Sequence, residues 1–434
     1  MINFIVISYD LVMHLKKPMK HDNCCDSPNP NSLSVEAALD RIAQALKPVT
    51  AHEQVAIRSA LGRILAEDIQ SQCNVPPHRN SAMDGYAVKS QDLPQQGQVK
   101  LTSVGTAFAG KPFIGQINSG ECIRIFTGAV LPEDTDTVIM QEHVSVEDQQ
   151  ILISEGHTAA QNVRNAGEDI AIGQVVLMQG KLLTPADIGL LASLGIPEVK
   201  VKRRLRVAFF STGDELRPSG TPLAPGQIYD SNRYTLYSML TRLGVDLIDM
   251  GIVPDIKAQI EQTFLLAAEQ SDVIITSGGV SVGDADYVVD VLKEIGAINF
   301  WKIAMRPGRP LTFGKIQQAT FFGLPGNPVS AMVTFYQFVQ PALRRLMGQS
   351  QVTPTRVNVT CMSALKKKTG RTEFQRGILH YNEQGKLIVH STGSQGSGIL
   401  SSMSQANCFI ILPADCSKVE VGSEVLVEPF EGLV

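Results

Sequence analysis

Apolar positions change rhythm several times along this chain. From Val35 to Ala45 they recur at helical spacing behind Ser34, a side chain suited to accept from the first free N–H groups of a helix. Val55–Gln70 carries a similar spacing and predicts a second, largely helical stretch. Beyond Gln72 the pattern shortens. Val99–Val104, Glu121–Phe126, Thr137–Met140 and Ile151–Ser154 are β-rich runs divided by glycine-containing turns. Helical spacing returns at Thr184–Leu194, with Thr184 as cap and Pro185 at the first helical position, where a missing N–H is harmless. A β-rich insertion over 72–166 would therefore split one small helical N-terminal domain into two pieces, 34–71 and 167–202.

From 203 to 351, continuous apolar runs alternate with helical segments. The expected strands are Arg206–Ser211, Asp246–Ile252, Val273–Ser277, Ile298–Ile303 and Thr320–Gly323; the expected helices are Asn232–Leu243, Asp255–Gln270, Tyr287–Ile295 and Val329–Met347. Such alternation predicts a central, doubly wound, mostly parallel α/β domain. From 352 to 434 the chain is β-rich again, at Arg356–Cys361, Lys386–His390, Cys408–Leu412 and Val425–Glu428, and predicts a C-terminal β-barrel-like domain. The fold class is thus multidomain α/β plus β.

Composition narrows the function. The 434 residues are 44% hydrophobic and 18% charged, enough apolar side chain for several cores. A net charge of -4 argues against a general nucleic-acid binder. Residues 18–33, rich in Pro, Asn, Asp and Ser, read with the rest of 1–33 as a disordered lead-in. Met13 and Met19 are alternative starts. Met1–Met13 has neither the basic flank nor the length of a signal or membrane segment, so a cytoplasmic protein without membrane contact is expected. The seven cysteines form no C-x-x-C pair and read as free thiols.

The candidate chemistry gathers where strands end, since ligands of open α/β sheets bind at the carboxyl edge. Val273–Ser277 runs into Gly278-Gly279-Val280-Ser281-Val282-Gly283-Asp284-Ala285-Asp286. The glycines permit close approach, N–H groups and the hydroxyls of Ser277 and Ser281 can donate to phosphate, and Asp284 and Asp286 can serve a phosphate-bound Mg²⁺. Taken alone, this run reads equally as a turn whose aspartates cap the next helix. Four companion loops tip the balance toward a site. One carries Glu215 and another Asp255, grouped acids that call for a cation, although Asp255 could also cap the helix behind it. Lys302, Arg306 and Arg309 suit anion capture, against the plainer reading of a solvated basic face. Pro325-Gly326-Asn327-Pro328 makes a rigid turn whose helix start offers a second anion seat, or only a structural helix start. Arg79–Tyr86 and Phe126–Ala129, in the insertion, read alone as ordinary turns.

These motifs together resemble the MoeA family, to which the C-terminal part of gephyrin is related. The resemblance rests on S-A-M-D-G-Y-A at Ser81–Ala87, F-T-G-A at Phe126–Ala129, S-T-G-D-E-L at Ser211–Leu216, S-G-G-V-S-V-G-D-A-D-Y at Ser277–Tyr287, R-P-G-R-P at Arg306–Pro310 and L-P-G-N-P-V-S at Leu324–Ser330. It spans Ser34 to the C-terminus. It implies an elongated homodimer of four-domain chains that inserts molybdate into adenylylated molybdopterin in the presence of Mg²⁺. It further implies a cleft between the α/β domain of one subunit and the insertion of the other, and transient contact with other molybdenum cofactor biosynthesis proteins. Asp84 and Thr127 become site residues on this ground, beside Glu215, Asp255, Asp286, Lys302, Arg306, Pro325 and Pro328; in the last domain Arg371 or Arg376 and Ser397 look like family positions. Arg306 and Arg309 replace the lysines of many relatives, keeping charge but offering a forked donor. Clustered cysteine ligands are not needed, because the pterin brings its own sulfurs. An Mg²⁺-dependent nucleotide hydrolase or transferase, or a non-catalytic scaffold on the same fold, are the competing readings; titration with ATP against the pterin adenylate separates the first.

Overall fold

The computed structural model of the chain describes residues 32–278 and 287–430. Helix α1 (Val35–Ala45) begins at Ser34, whose hydroxyl accepts from the Ala37 N–H at 3.1 Å. Its buried face, Val35, Ala38 and Ile42, joins one core with Phe335, Phe338 and Leu343, far along the chain. Val55–Gln70 is not helical. It divides into a strand His52–Ala56, a 3-10 turn Ile57–Ser59 and a short strand Ile69–Gln70. Gly62, at φ 71°, turns the chain as no helix can. Both strands find antiparallel partners far downstream, His52–Ala56 with Glu198–Lys202 and Ile69–Gln70 with Val175–Leu177. Helix α2 (Pro185–Ser193) opens with the expected cap. The Thr184 hydroxyl accepts from the Asp187 N–H, and the Asp187 carboxylate accepts from the Thr184 N–H.

Between these pieces lies a six-stranded sheet within 85–154, with two small cores of its own. Its two ends are held side by side, since Asn80–Ser81 pairs with Val163–Arg164. The Asp84-Gly85 step does not end in a turn. It leads into a buried strand, Gly85–Val88, between Glu121–Ile125 and Thr137–Met140.

The central sheet runs Asp246–Val253, Arg206–Thr212, Val273–Ser277, Ala319–Leu324, Pro310–Ile316, Gly296–Lys302. The first four strands are parallel. Helices α3 (Ser231–Leu243), α4 (Lys257–Gln270) and α5 (Tyr287–Ile295) cover it. Successive residues feed opposite faces: Phe209 packs with Leu236 and Phe322, Phe210 with Ile260 and Phe264. Pro310–Ile316 is a strand the sequence reading lacks. It lies antiparallel to both neighbours, so Gly296–Lys302 points the same way as the parallel four. The expected helix Val329–Met347 is continuous but uneven: α6 (Pro328–Thr334), a π turn Phe335–Val339, then α7 (Gln340–Leu346). Pro341 accounts for the wide turn, because it cannot donate to, and would crowd, the carbonyl four residues back.

The last region is a closed five-stranded barrel. Thr372–Tyr381 pairs with Leu387–Ser391 and Cys408–Leu412, and Val357–Cys361 with Glu424–Pro429 completes the ring, beside helix α8 (Leu400–Gln405). A parallel pairing of Met305–Arg306 with Thr372–Glu373 joins the barrel to the central domain. Cys73, Cys122, Cys361, Cys408 and Cys416 are free, and burial pushes the Cys122 and Cys408 thiols up to about 12, which leaves them unreactive. Among the described residues no helix is long and apolar enough to cross a membrane.

Candidate functional site

The sheet registers bring five strand ends to one edge. Ser211 lies opposite Ser277, Ser277 opposite Leu324, Gly323 opposite Thr312, and Lys302 opposite Pro310; Val253 ends beside Thr212. Of the central loop, Gly279, Ser281, Asp284 and Asp286 lie outside the described residues. Ser277 and Gly278 are seen. Gly278 sits at φ 90°, and a Cβ there would stand 2.7 Å from the Thr212 carbonyl oxygen. Its N–H donates to the Leu324 carbonyl at 3.2 Å, so it holds two loops together. Asn232, in the first turn of α3, extends this lock: its Nδ2 donates to Ser277 Oγ and to the Gly326 carbonyl, each at 2.7 Å. Beneath the edge, the hydroxyls of Ser211, Thr212 and Thr276 are buried and have no hydrogen-bond partner among the described residues.

Acids line the mouth of the first two loops. The Asp255 N–H donates to Asp214 Oδ1 at 3.2 Å. Helix α4 starts later than expected, at Lys257, and has no side-chain cap, so Asp255 does not serve as one. Its carboxyl is held above the usual range, first by burial, then by the neighbouring charges of Asp214 and Glu215, against a backbone hydrogen bond at Asp214. Glu215 folds back over Gly213, at φ 145°, where a Cβ would stand 2.5 Å from its Oε2. Among the described residues no three His, Cys, Asp or Glu side chains close into a metal cage. Grouped carboxylates, one or two to a cation, still fit Mg²⁺, which takes few protein carboxylates and completes its shell with phosphate and water.

The basic segment leaves the other end of the same sheet, at its last strand. Lys302 and Arg306 are exposed, and the Arg309 carbonyl accepts from the Ile303 N–H at 2.7 Å. Arg306 stands 3.6 Å from Glu373, long for a charge-assisted bond, and so keeps donors for another anion. Gly308, at φ 91°, lets the loop lie on α6, where a Cβ would stand 2.5 Å from Thr334 Oγ1. In the Pro325–Pro328 turn, Pro325 is buried while Gly326 and Asn327 are exposed. The helix start has fewer open donors than expected: Pro328 has no N–H, and the Val329 N–H donates to the Ser397 carbonyl at 3.1 Å. Arg376, only 1% exposed, donates to Ser402 Oγ and the Gly396 carbonyl, each at 3.0 Å. It therefore supports the loop that carries Ser397. Burial pulls its guanidinium down to about 10.

Asp84 and Thr127 meet in the insertion. The Thr127 N–H and hydroxyl donate to Asp84 Oδ1 at 2.8 and 2.7 Å. Those two bonds, the backbone one first, hold the Asp84 carboxyl below its usual range, and the Arg124 charge helps. Arg124 lies 5.0 Å from the Tyr86 and Phe126 ring centres, and donates to the Gly85 carbonyl at 3.3 Å and to Gln141. All these contacts stay within the insertion; none reaches Glu215 or Asp255. Sequence reading missed Asn232, Asp214 and Arg124. Asp214 stood beside a chosen residue, and an Asn in the first turn of a helix was the available hint for Asn232.

Comparison with known proteins agrees along the whole described chain. Residues 33–195 match the MoeA N-terminal region (domain I and II), 208–345 a probable molybdopterin binding domain, and 358–430 the MoeA C-terminal region (domain IV). A molybdopterin molybdenumtransferase of Haemophilus influenzae is 48% identical over 93% of this chain and all of its own length. One from a Nostoc species is 39% identical over 86% of this chain and 88% of its own. Gephyrin of Dictyostelium discoideum is 36% identical over 86% of this chain and 58% of its own. The crystal structure of a molybdopterin biosynthesis moeA protein from Pyrococcus horikoshii superposes with a TM-score of 0.81 at 29% identity, covering 92% of this chain and all of that one.

Proposed function

The chain belongs to the MoeA family of molybdopterin molybdenumtransferases and acts in molybdenum cofactor biosynthesis, and on that premise we propose that it inserts molybdate into adenylylated molybdopterin, releasing AMP, in an Mg²⁺-dependent reaction. The observation that carries the proposal is the raised carboxyl of Asp255 beside Asp214 and Glu215, at the edge shared by five loops. Glu215 and Asp255, with Asp286, would hold Mg²⁺. Bound there, the cation would offset phosphate charge as the adenylate is cleaved. One of these acids, left free of the cation, would orient the water that attacks phosphorus and accept its proton, the P–O bond of the pyrophosphate breaking as AMP leaves. Lys302, Arg306 and Arg309 hold molybdate near the dithiolene, making the meeting of two dilute partners local. Ser277, Gly278, Asn232 and Gly326 keep the loops in place. The protein works as a cytoplasmic homodimer in which Asp84 and Thr127 of one subunit close the cleft of the other, with transient contact to other proteins of cofactor synthesis.

The test is direct. Purified protein given adenylylated molybdopterin and molybdate should release AMP and yield active cofactor, measured by reconstitution of a molybdenum enzyme, and Glu215→Ala and Asp255→Ala should lose both. AMP release at the full rate from Asp255→Ala, or from the parent after chelation of Mg²⁺, would sink the mechanism.

A further inference from the structure

The Asp84–Thr127 pair is built by three separate segments, and one side chain touches all three. Asp84 precedes the strand Gly85–Val88, Thr127 follows the strand Glu121–Ile125 after Phe126, and Gln141 opens the 3-10 turn Gln141–His143. Arg124 stands directly opposite Tyr86 in the antiparallel pairing of the two strands. Its Nη1 donates to the carbonyl of Gly85, the residue after Asp84, at 3.3 Å. Its Nη2 donates to the Gln141 side-chain oxygen, and the Gln141 N–H donates to the Asp84 carbonyl at 3.1 Å. The Gln141 amide is oriented from its other end as well, since its Nε2 donates to Glu142 Oε1 at 3.0 Å. The guanidinium also lies 5.0 Å from the ring centres of Tyr86 and of Phe126, the residue before Thr127. Phe126 is stacked in turn on Phe108, with centres 4.8 Å apart.

None of these bonds reaches the Asp84 carboxylate, whose Oδ1 is left to Thr127. They fix the chain around it instead. The carbonyl after Asp84, the turn that binds its own carbonyl and the ring that precedes Thr127 all meet one planar fork. A lysine would carry the same charge but could not bond two acceptors at fixed angles while lying against two rings. The charged groups around Asp84 are Arg124 and Glu142, whose own carboxyl feels both His143 and Asp84. Thr127 holds the Asp84 carboxyl low, its N–H first and its hydroxyl next, and the Arg124 charge comes after both. Loosening the fork therefore acts mainly through the Thr127 bonds, so a variant that keeps the charge tells fork from charge.

We propose that Arg124 is the positioning residue of the Asp84–Thr127 pair: its forked guanidinium sets the backbone around both residues, so that the carboxylate meets substrate in one direction. The consequence for the reaction rests on the role proposed above for Asp84 and Thr127 in the cleft; the lock on the pair does not.

The experiment uses the full chain with Arg124→Gln, which loses the charge, and Arg124→Lys, which keeps it. The Asp84 carboxyl carbon is titrated by NMR, its signal identified by its loss in Asp84→Asn. A positioning role raises the midpoint in both variants. In both, kcat on adenylylated molybdopterin should fall by about 10- to 100-fold, the scale of a misplacement of about 1 Å, with KM little changed. Thermal melting checks that each variant is folded at the assay temperature; should Arg124→Gln not be, Arg124→Lys alone decides, by a raised or an unmoved midpoint. A midpoint raised in Arg124→Gln only, which is charge alone, or in neither variant overturns the lock, and raised midpoints with parental kcat overturn its part in the reaction. Turnover by the parent is measured beside these. Absent turnover with both midpoints raised removes the proposed function and leaves the lock; parental turnover with unmoved midpoints removes only the lock.

Discussion

Two aspartates of the candidate site are pushed in opposite directions, and each shift has a testable consequence. Asp84 is held low by two donations from Thr127, the backbone one first. Thr127→Val removes the hydroxyl and spares the N–H, so the Asp84 carboxyl should titrate at higher pH, read from its carboxyl carbon by NMR; an unmoved midpoint would show that the hydroxyl does not matter. Asp255 is held high, by burial and then by Asp214 and Glu215. Between its unfolded and folded values the folded chain binds the extra proton, so stability falls as pH rises through that window. Mg²⁺ competes with protons for the same oxygens, and its gain in melting temperature should therefore grow as pH rises out of the carboxylate range. Equal gains at acid and neutral pH, or undiminished gains in Asp255→Asn, would place the cation elsewhere.

The loops depend on close backbone approach, and glycines that look alike in sequence differ here. Gly278→Ala combines φ 90° with a Cβ 2.7 Å from a carbonyl oxygen and should cost about 1–3 kcal/mol in chemical denaturation. Gly326→Ala makes only a 3.8 Å contact with Gly278 and should be nearly neutral for stability. Equal costs would mean the lock between the loops is misread. The parallel strands, the Ser34 and Thr184 caps and the shared carboxyl edge were legible because apolar runs and cap residues are local signals. Thr372–Tyr381 was not. It buries Glu373, Gln375 and Arg376 and so hides the alternation that marks a strand. Pro310–Ile316 begins with proline and contains Gly314, whose absent Cβ makes room for the Ala297 carbonyl of the neighbouring strand. Val55–Gln70 imitates helical spacing, and only its long-range partners reveal strands. Within the candidate site, charge and glycine pointed to loops that the sheet registers bring to one edge, while the Asn232 lock and the use of the Val329 N–H depend on segments that meet only in the fold.

The molecule as a whole presents its acids in two groups, Asp84 in the insertion and Glu215 with Asp255 on the central sheet. If a homodimer unites them across subunits, mixing Asp84→Ala with Glu215→Ala chains should rescue activity. Half of the random dimers are mixed, and each mixed dimer holds one intact site of two, so about a quarter of parental activity should return. No recovery after confirmed subunit exchange would place both groups in one chain's own cleft. The nested first domain has a consequence in time. The strand His52–Ala56 waits for Glu198–Lys202, with His52 facing Lys202 across 202 − 52 = 150 residues. At about 5–20 residues per second, synthesis of that interval takes about 8–30 s. The insertion, whose ends are paired with each other and whose cores are its own, can fold during that delay. On the ribosome the domain that opens the sequence is thus finished only after the insertion it encloses, and its strand edge stays bare for that interval.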